Sequence, residues 1–480
     1  MRLFHTLGRT SVAFDDPNLV SAAGLVPVLA LAESAGLREL ADEHLSVPSD
    51  KGANAGLKVS SLVAGMVAGA DSIDDMALLR HGGMGRIFAG AYAPSTLGSF
   101  LRAFTFGHVR QLDAVASRFL IALAGLTRLL GRPAGEVVAD GEVGYALLDV
   151  DDTIIEVHGH AKQGAGFGYT RVRGLNALLA TLIVPLAMST SAPVIVTQRL
   201  RKGATGSPRG AKRLIGDAVK TTRRLLGAGP LILVRMDSAF YGRPTVHAAL
   251  GGGAAVSVTV RMDPAVKKAI DVIHDAAWAP IEYTDAVFDE DTGQWISRAE
   301  VAEIAFTAFA SQKKADRVPG RLVVRRIPDF NANNKRANGQ NTLFDVWRFH
   351  AFFTTADPAI LDTVAADKTH RHHAVIEQVH ADLKNSALAH LPSGVFSANA
   401  AWLVLAVIAF NLTRAAASLT GPQLAKATTA TIRRKLINVP ARVATSARRI
   451  TLHLPQAWPW ETAWTALFDQ VRDPPTVLAA

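Results

Sequence analysis

Cysteine is absent from all 480 residues. This excludes a disulfide framework, a thiolate metal site and a cysteine nucleophile, so zinc fingers and cysteine hydrolases drop out. Any metal must sit on oxygen or imidazole. Long apolar runs are also lacking, although 49% of residues are hydrophobic. The most apolar stretches are 175–197 and 400–416. The first is broken by Asn176, Pro185 and a Ser/Thr cluster; the second has about a dozen apolar residues before Asn411 and Arg414, short of the roughly 20 a bilayer needs. No membrane partner is expected. Met1-Arg2-Leu3-Phe4-His5 leads into polar sequence without an apolar secretion core, so the expected setting is a bacterial cytoplasm.

Acids are scarce in two places. Residues 199–224 carry nine Lys or Arg and one Asp, and residues 426–449 carry seven Lys or Arg and no acid. Together these segments hold +15 of a net charge of +10, leaving −5 on the rest of the chain. Positive charge concentrated on an otherwise acidic chain points to a polyanion, most simply the nucleic-acid backbone, with Arg201, Lys202, Lys212, Arg213, Arg433, Arg434 and Lys435 as contacts. The plainer alternative is a pair of solvated helix faces.

The length predicts two or three compact units. Residues 1–140 read as helical, with a helix start at Pro94-Ser95-Thr96 and apolar Leu97, Phe100, Leu101 and Phe104 at helical spacing. From Ala146 the texture turns to strand: 147–157 alternates so that Asp149, Asp151 and Thr153 share a face, with Asp152 opposite. Further strands are expected at 180–185, 194–198, 231–237 and 254–260, with a helix over 207–226. Residues 141–261 and 353–417 therefore predict an α/β unit, a mixed sheet flanked by helices. Residues 262–352 read as a β-rich insertion with Trp278, Trp295, Trp347 and a polar turn at 331–341, and 418–480 as a basic C-terminal segment for DNA binding or dimerisation. One helix is expected from His370 to about Leu388 and another over 399–417.

Three acids stand inside apolar or patterned sequence: Asp151 in a strand, Asp237 at the end of another, and Glu377 on a late helix. Buried carboxylates need a partner or a metal. On the late helix, His370, His373, Glu377, His380 and Lys384 follow i+3/i+4 steps, a cationic face around one carboxylate. That combination suits a phosphate-bearing ligand and a metal-binding acid.

These segments resemble the DDE transposases of bacterial insertion sequences over most of residues 146–415. The motifs are Asp149-Val150-Asp151-Asp152-Thr153, Arg235-Met236-Asp237-Ser238-Ala239-Phe240-Tyr241-Gly242, and the helix His373 to Asn385, in which Lys384 follows Glu377 by seven residues as in the family's Tyr-Arg-Glu-Lys signature. The signature's Tyr and Arg fall on His370 and His373, with Arg371 beside them as a substitute guanidinium. The resemblance implies an RNase H-like catalytic fold with a β-rich insertion that contacts DNA ends. It implies Asp151, Asp237 and Glu377 holding two Mg²⁺ or Mn²⁺ ions, with Asp149 as a further ligand, since Asp149 and Asp151 compete for the first position. Lys384, His370, Arg371 and His373 would meet DNA phosphates. The implied activity is cleavage at terminal inverted repeats and strand transfer into target DNA, by a homodimer.

Two rival readings fit the same residues. Asp149-Val150-Asp151-Asp152-Thr153 also fits the Asp-x-Asp-x-Thr motif of haloacid-dehalogenase-like phosphatases, with Asp149 as nucleophile, Asp151 as acid/base and Ile215-Gly216-Asp217 as a later magnesium motif. The other rival is a catalytically inactive DNA-binding relative that keeps the fold and the basic stripes.

Overall fold

The computed structural model describes the chain except residues 2, 49, 132–143, 169, 187–188, 228, 290–293, 329–346 and 474–480, and except the side chains of 282–298 and 328. The expected polar turn at 331–341 and the boundary near 140 lie outside the described residues.

The N-terminal part is built from α1 (Leu25–Ser34), α2 (Leu37–His44), α3 (Ala55–Ala68), α4 (Pro94–Arg102) and α5 (Phe106–Leu126). Helix α4 begins on Pro94, whose fixed φ and missing N–H cost nothing in a first turn, and it buries Leu97, Phe100 and Leu101. Helix α5 opens with a reciprocal cap between Thr105 and His108.

Five strands form the centre: β1 (Tyr145–Glu156), β2 (Arg173–Ile183), β3 (Val194–Lys202), β4 (Leu231–Met236) and β5 (Ala255–Thr259). Their spatial order is 3-2-1-4-5. The β1/β2 and β2/β3 pairs are antiparallel, and β1/β4 and β4/β5 are parallel. Helices α6 (Ala211–Leu226) and α7 (Arg243–Gly251) make the crossovers that lead into β4 and β5. Every residue of β2 after Arg173 is buried, which explains its continuous apolar run: both faces of the strand are covered.

Residues 262–352 add the antiparallel strands β6 (Ala279–Asp289), β7 (Gln294–Ala308), β8 (Val318–Pro328) and β9 (Trp347–Thr354). Strand β9 pairs with β5 through Phe352–Thr259, Phe353–Val258 and Thr354–Ser257. The insertion thus continues the central sheet, which counts ten strands among the described residues.

The single helix expected from His370 is instead two, α8 (Thr363–Arg371) and α9 (Val375–Lys384), separated by a 3-10 turn at His372–Ala374. At this break the buried Arg235 of β4 donates to the carbonyls of Thr369 and His372. Helix α10 (Phe396–Ser418) is long and apolar enough to cross a membrane, yet its apolar window is wholly buried inside the protein, against α5, α3 and β3. The remaining chain forms β10 (Ala441–Ser446), β11 (Arg449–His453) and α11 (Glu461–Arg472), and β10 pairs with the two-residue strand Leu19–Val20.

Candidate active site

The parallel register of β1 and β4 sets the acids. Asp149 lies beside Arg235 and Val150 beside Met236, so Asp151 and Asp237 follow at the next step. Period-two alternation then stacks two pairs on one face: Asp149 with Arg235 inside, Asp151 with Asp237 at the strand end. The inner pair is closed. Both Asp149 oxygens accept from Arg235, at 2.6 and 2.7 Å, and neither side chain is exposed. His373 Nδ1 lies 3.1 Å from the same carboxylate. The expectation of Asp149 as a further metal ligand is corrected by this pairing, because an acid neutralised by a bidentate guanidinium has little left to offer a cation.

The outer pair is open. Burial raises the Asp151 carboxyl to about 7, with backbone hydrogen bonding and His373 opposing and the Asp237 and Asp152 charges adding to the rise. Burial also raises Asp237, whose Oδ1 accepts from the Ala239 N–H at 3.0 Å and so caps the following 3-10 turn. In both carboxyls burial outweighs the opposing His373 charge, and at Asp151 the Asp237 charge adds to the rise.

Helix α9 faces this pair. Glu377, His380 and Lys384 lie on one side of the helix by i+3 and i+4 steps. His380 Nδ1 is 3.7 Å from Asp151 Oδ2. Burial, then the Lys384 and His373 charges, lower His380 to about 3, so it contacts Asp151 as a neutral ring, and its Nε2 is buried without a partner. Lys384 is held below its ordinary range by burial, with Asp151 opposing that shift. Glu377 is exposed, one turn before His380. Among the described residues no three His, Asp or Glu side chains already converge as a metal cluster. The structure brings Asp151 and Asp237 together and leaves Glu377 at the rim.

Other expected contacts divide. His370 stacks on Phe352 at 4.1 Å, and its ring nitrogens meet Ser257 Oγ at 2.8 Å and Thr259 Oγ1 at 2.9 Å. Burial, then the charges of His373, Arg235 and Arg325, hold it well below the usual histidine range, so it is a neutral packing group rather than a phosphate clamp. His373 is committed to Asp149, and Arg371 is half-buried. Arg201 is buried on the other face of the sheet, bonded to Asp152 at 2.5 Å, to Asn176, and to the carbonyls of Ser207 and Arg209. It fixes the loop before α6 and is not a surface DNA contact. Arg433 donates to the Val67 carbonyl at 3.2 Å, near the end of α3, and is likewise occupied. Lys202, Lys212, Arg213 and Arg434 are exposed, and Lys435 lies over the Trp460 ring at 5.2 Å.

The phosphatase motif does not assemble. Asp149 is sealed by Arg235, and Asp217 pairs with Arg110 at 3.1 Å across α6 and α5. In the insertion, Arg326 sits between the Trp278 and Trp347 rings, 4.3 and 4.5 Å from their centroids, and bonds Glu300 at 2.5 Å. These rings therefore carry a guanidinium; the Trp295 side chain lies outside the described residues. The sequence had marked neither Arg235 as a structural member nor His380 as a neutral neighbour of Asp151. The available signal was an arginine inside the apolar strand 231–236.

Family membership agrees with this geometry. The chain belongs to the DDE transposases: the family described as transposase DDE domain group 1 matches residues 7–476. Among solved structures it is similar to the piggyBac transposase synaptic complex with hairpin DNA, determined by cryo-EM, at a TM-score of 0.34 and 11% identity over 99% of this chain and 77% of that one. No curated protein matches the sequence.

Proposed function

We propose that the protein is a metal-dependent cut-and-paste transposase whose central sheet is RNase H-like. The strand order 3-2-1-4-5 supports the fold assignment, with the first acid on β1, the second after β4 and the third on a helix beyond the insertion. The observation that carries the catalytic reading is the Asp151–Asp237 pair on neighbouring strands, both carboxyls raised by burial in spite of the His373 charge. Oxygen donors of this kind fit Mg²⁺ or Mn²⁺, and Glu377 completes the set by turning in from the rim. Two such ions, when bound, would supply an activated water and neutralise charge at the leaving oxygen.

The chain's own groups do the rest. Asp149 and Arg235 hold β1, β4 and the α8–α9 junction in register. His380 excludes water beside Asp151, and Lys384 meets a phosphate of the transposon-end or target DNA. Terminal inverted repeats and target DNA are the substrates, a homodimer is the working form, and the bacterial cytoplasm is the setting. Against the inactive-relative alternative stands the presence of all three acids, Asp151, Asp237 and Glu377, in the chain.

The test is nicking and strand transfer on the element's own ends with Mg²⁺ or Mn²⁺. Asp237→Asn and Glu377→Gln should each lower cleavage about a thousandfold or more while DNA affinity stays within about threefold. Cleavage that persists in Asp237→Asn, or proceeds in chelator, would falsify the three-acid assignment. No cleavage by the parent would favour a DNA-binding protein without catalysis.

A further inference from the structure

One segment far from the acids leaves its apolar side chains in solvent. Every residue of 3–15 is exposed, and Leu3, Phe4, Leu7, Val12 and Phe14 are each 79% exposed or more. After Phe14, no large apolar side chain among the described residues exceeds 65%. The backbone hydrogen bonds described for this stretch are local, from the Arg9 and Thr10 N–H groups to the Thr6 and Leu7 carbonyls. Single exposed apolar residues are ordinary, but a concentration of this kind is a contact surface without its contact.

Strand β11 offers the complementary edge. The order of its sheet is Leu19–Val20, β10, β11, so among the described residues no strand covers the outer backbone groups of β11. Ile450 on that strand is 51% exposed and Leu452 is half-buried. Thr10 is extended, with φ −111° and ψ 128°, and no helix forms over residues 11–16. Alternation there sets Val12 and Phe14 on one side and Ser11 and Ala13 on the other. An antiparallel strand with Phe14 opposite Ile450 puts Val12 opposite Leu452 and Asp15 opposite Arg449. That single register matches two apolar pairs and one pair of opposite charges. A shift by one residue sets Phe14 against Arg449 or Thr451 and loses the match.

The edge within the same chain is poorly placed for this segment. Leu19–Val20 pairs with β10 on the side away from β11. The exit is pinned there by the Asn18 N–H donating to Asp16 Oδ1 at 2.9 Å and by Arg442 of β10, 3.6 Å from Asp16. We infer that residues 11–15 of one copy add as a strand to the β11 edge of a second copy, with the exchange made reciprocally in a two-fold pair. The inference rests on the homodimer part of the proposed function and names the surface that forms it.

The chain has no cysteine, so one cysteine placed on each copy reports a single contact. Phe14→Cys chains mixed with size-tagged Ile450→Cys chains and oxidised should give a mixed disulfide dimer on a denaturing gel. Ala13→Cys in place of Phe14→Cys should not, because residue 13 turns to the other face. Sedimentation of the full chain over a concentration series, with and without end DNA, measures the association. Val12→Ser with Phe14→Ser should raise the dimer dissociation constant about tenfold or more, with no loss of melting temperature in dilute protein, since neither side chain is buried in one copy. Asp15→Arg and Arg449→Asp should each weaken the dimer, and the two combined in one chain should restore it. A disulfide closing within one chain that carries both Phe14→Cys and Ile450→Cys, with none in the mixture, would give the segment to its own edge and overturn the second copy. No disulfide in either case, or a dimer unmoved by Val12→Ser with Phe14→Ser, would overturn the strand exchange while a dimer through another surface keeps the proposed function. A chain monomeric at every concentration with and without DNA loses both.

Discussion

Asp151 titrates in a range where its neighbours decide the outcome. Its folded pKa of about 7 stands above the usual carboxylate value, so the folded state binds more protons than the unfolded state between about pH 4 and 7. Stability therefore falls as pH rises through that window, and the penalty is complete above it. Asp151→Asn should be more stable than the parent at pH 8, by at most about 4 kcal/mol, with the difference fading toward pH 4. Melting curves across pH would check this, and parallel curves for the two proteins would sink it. Added Mg²⁺ at pH 8 should stabilise the parent and leave Asp151→Asn unmoved. Asp149 differs from Asp151 by two residues on the same strand face, yet its oxygens belong to Arg235. A candidate acid could be read from its place in a strand, but which of two such acids stays open to a ligand depends on a partner 86 positions away.

Among the elements, α10 is the clearest case of a helix whose composition misleads in isolation. Its apolar residues face α5, α3 and β3, and its one asparagine in mid-helix has a defined task. Asn411 Oδ1 accepts from the Ile195 N–H at 3.0 Å and Nδ2 donates to the Ile195 carbonyl at 2.8 Å. Ile195 sits where the β2/β3 register shifts, so its backbone groups need a substitute for the ladder. Asn411→Leu should cost about 2–4 kcal/mol, since it leaves both groups buried and unsatisfied. A urea midpoint equal to the parent's would show that the bulge finds other partners. The break between α8 and α9 follows the same logic. Helical spacing from His370 to Lys384 was legible, but Arg235 drawing on the Thr369 and His372 carbonyls was not, because periodicity carries no information about a distant strand.

Over the whole molecule, the C-terminal segment closes against the N-terminal helices. Ala23 and Gly24 donate to the Val439 and Ile437 carbonyls at 2.9 and 3.1 Å, and a Cβ at Gly24 would stand 1.8 Å from the Leu436 carbonyl oxygen. Gly24→Ala should destabilise the full chain by about 1–3 kcal/mol, as forced overpacking does, and a melting temperature equal to the parent's would show that the two ends part easily. Further in, Asp382 of α9 accepts from Arg414 of α10 at 2.9 Å and from the Thr429 N–H at 3.0 Å, tying the helix that bears Glu377 to the same closure. The sequence by itself determined the strand and helix types, the order of the three acids and the family, because these depend on local periodicity and short motifs. Only the tertiary structure decided which charges remain free. Arg201, Arg433, His370 and Asp149 each find a buried partner from elsewhere in the chain, while Asp151 and Asp237 come together where burial outweighs the nearby His373 charge. Linear sequence records charge, whereas neutralisation depends on which side chains the fold brings within hydrogen-bonding distance.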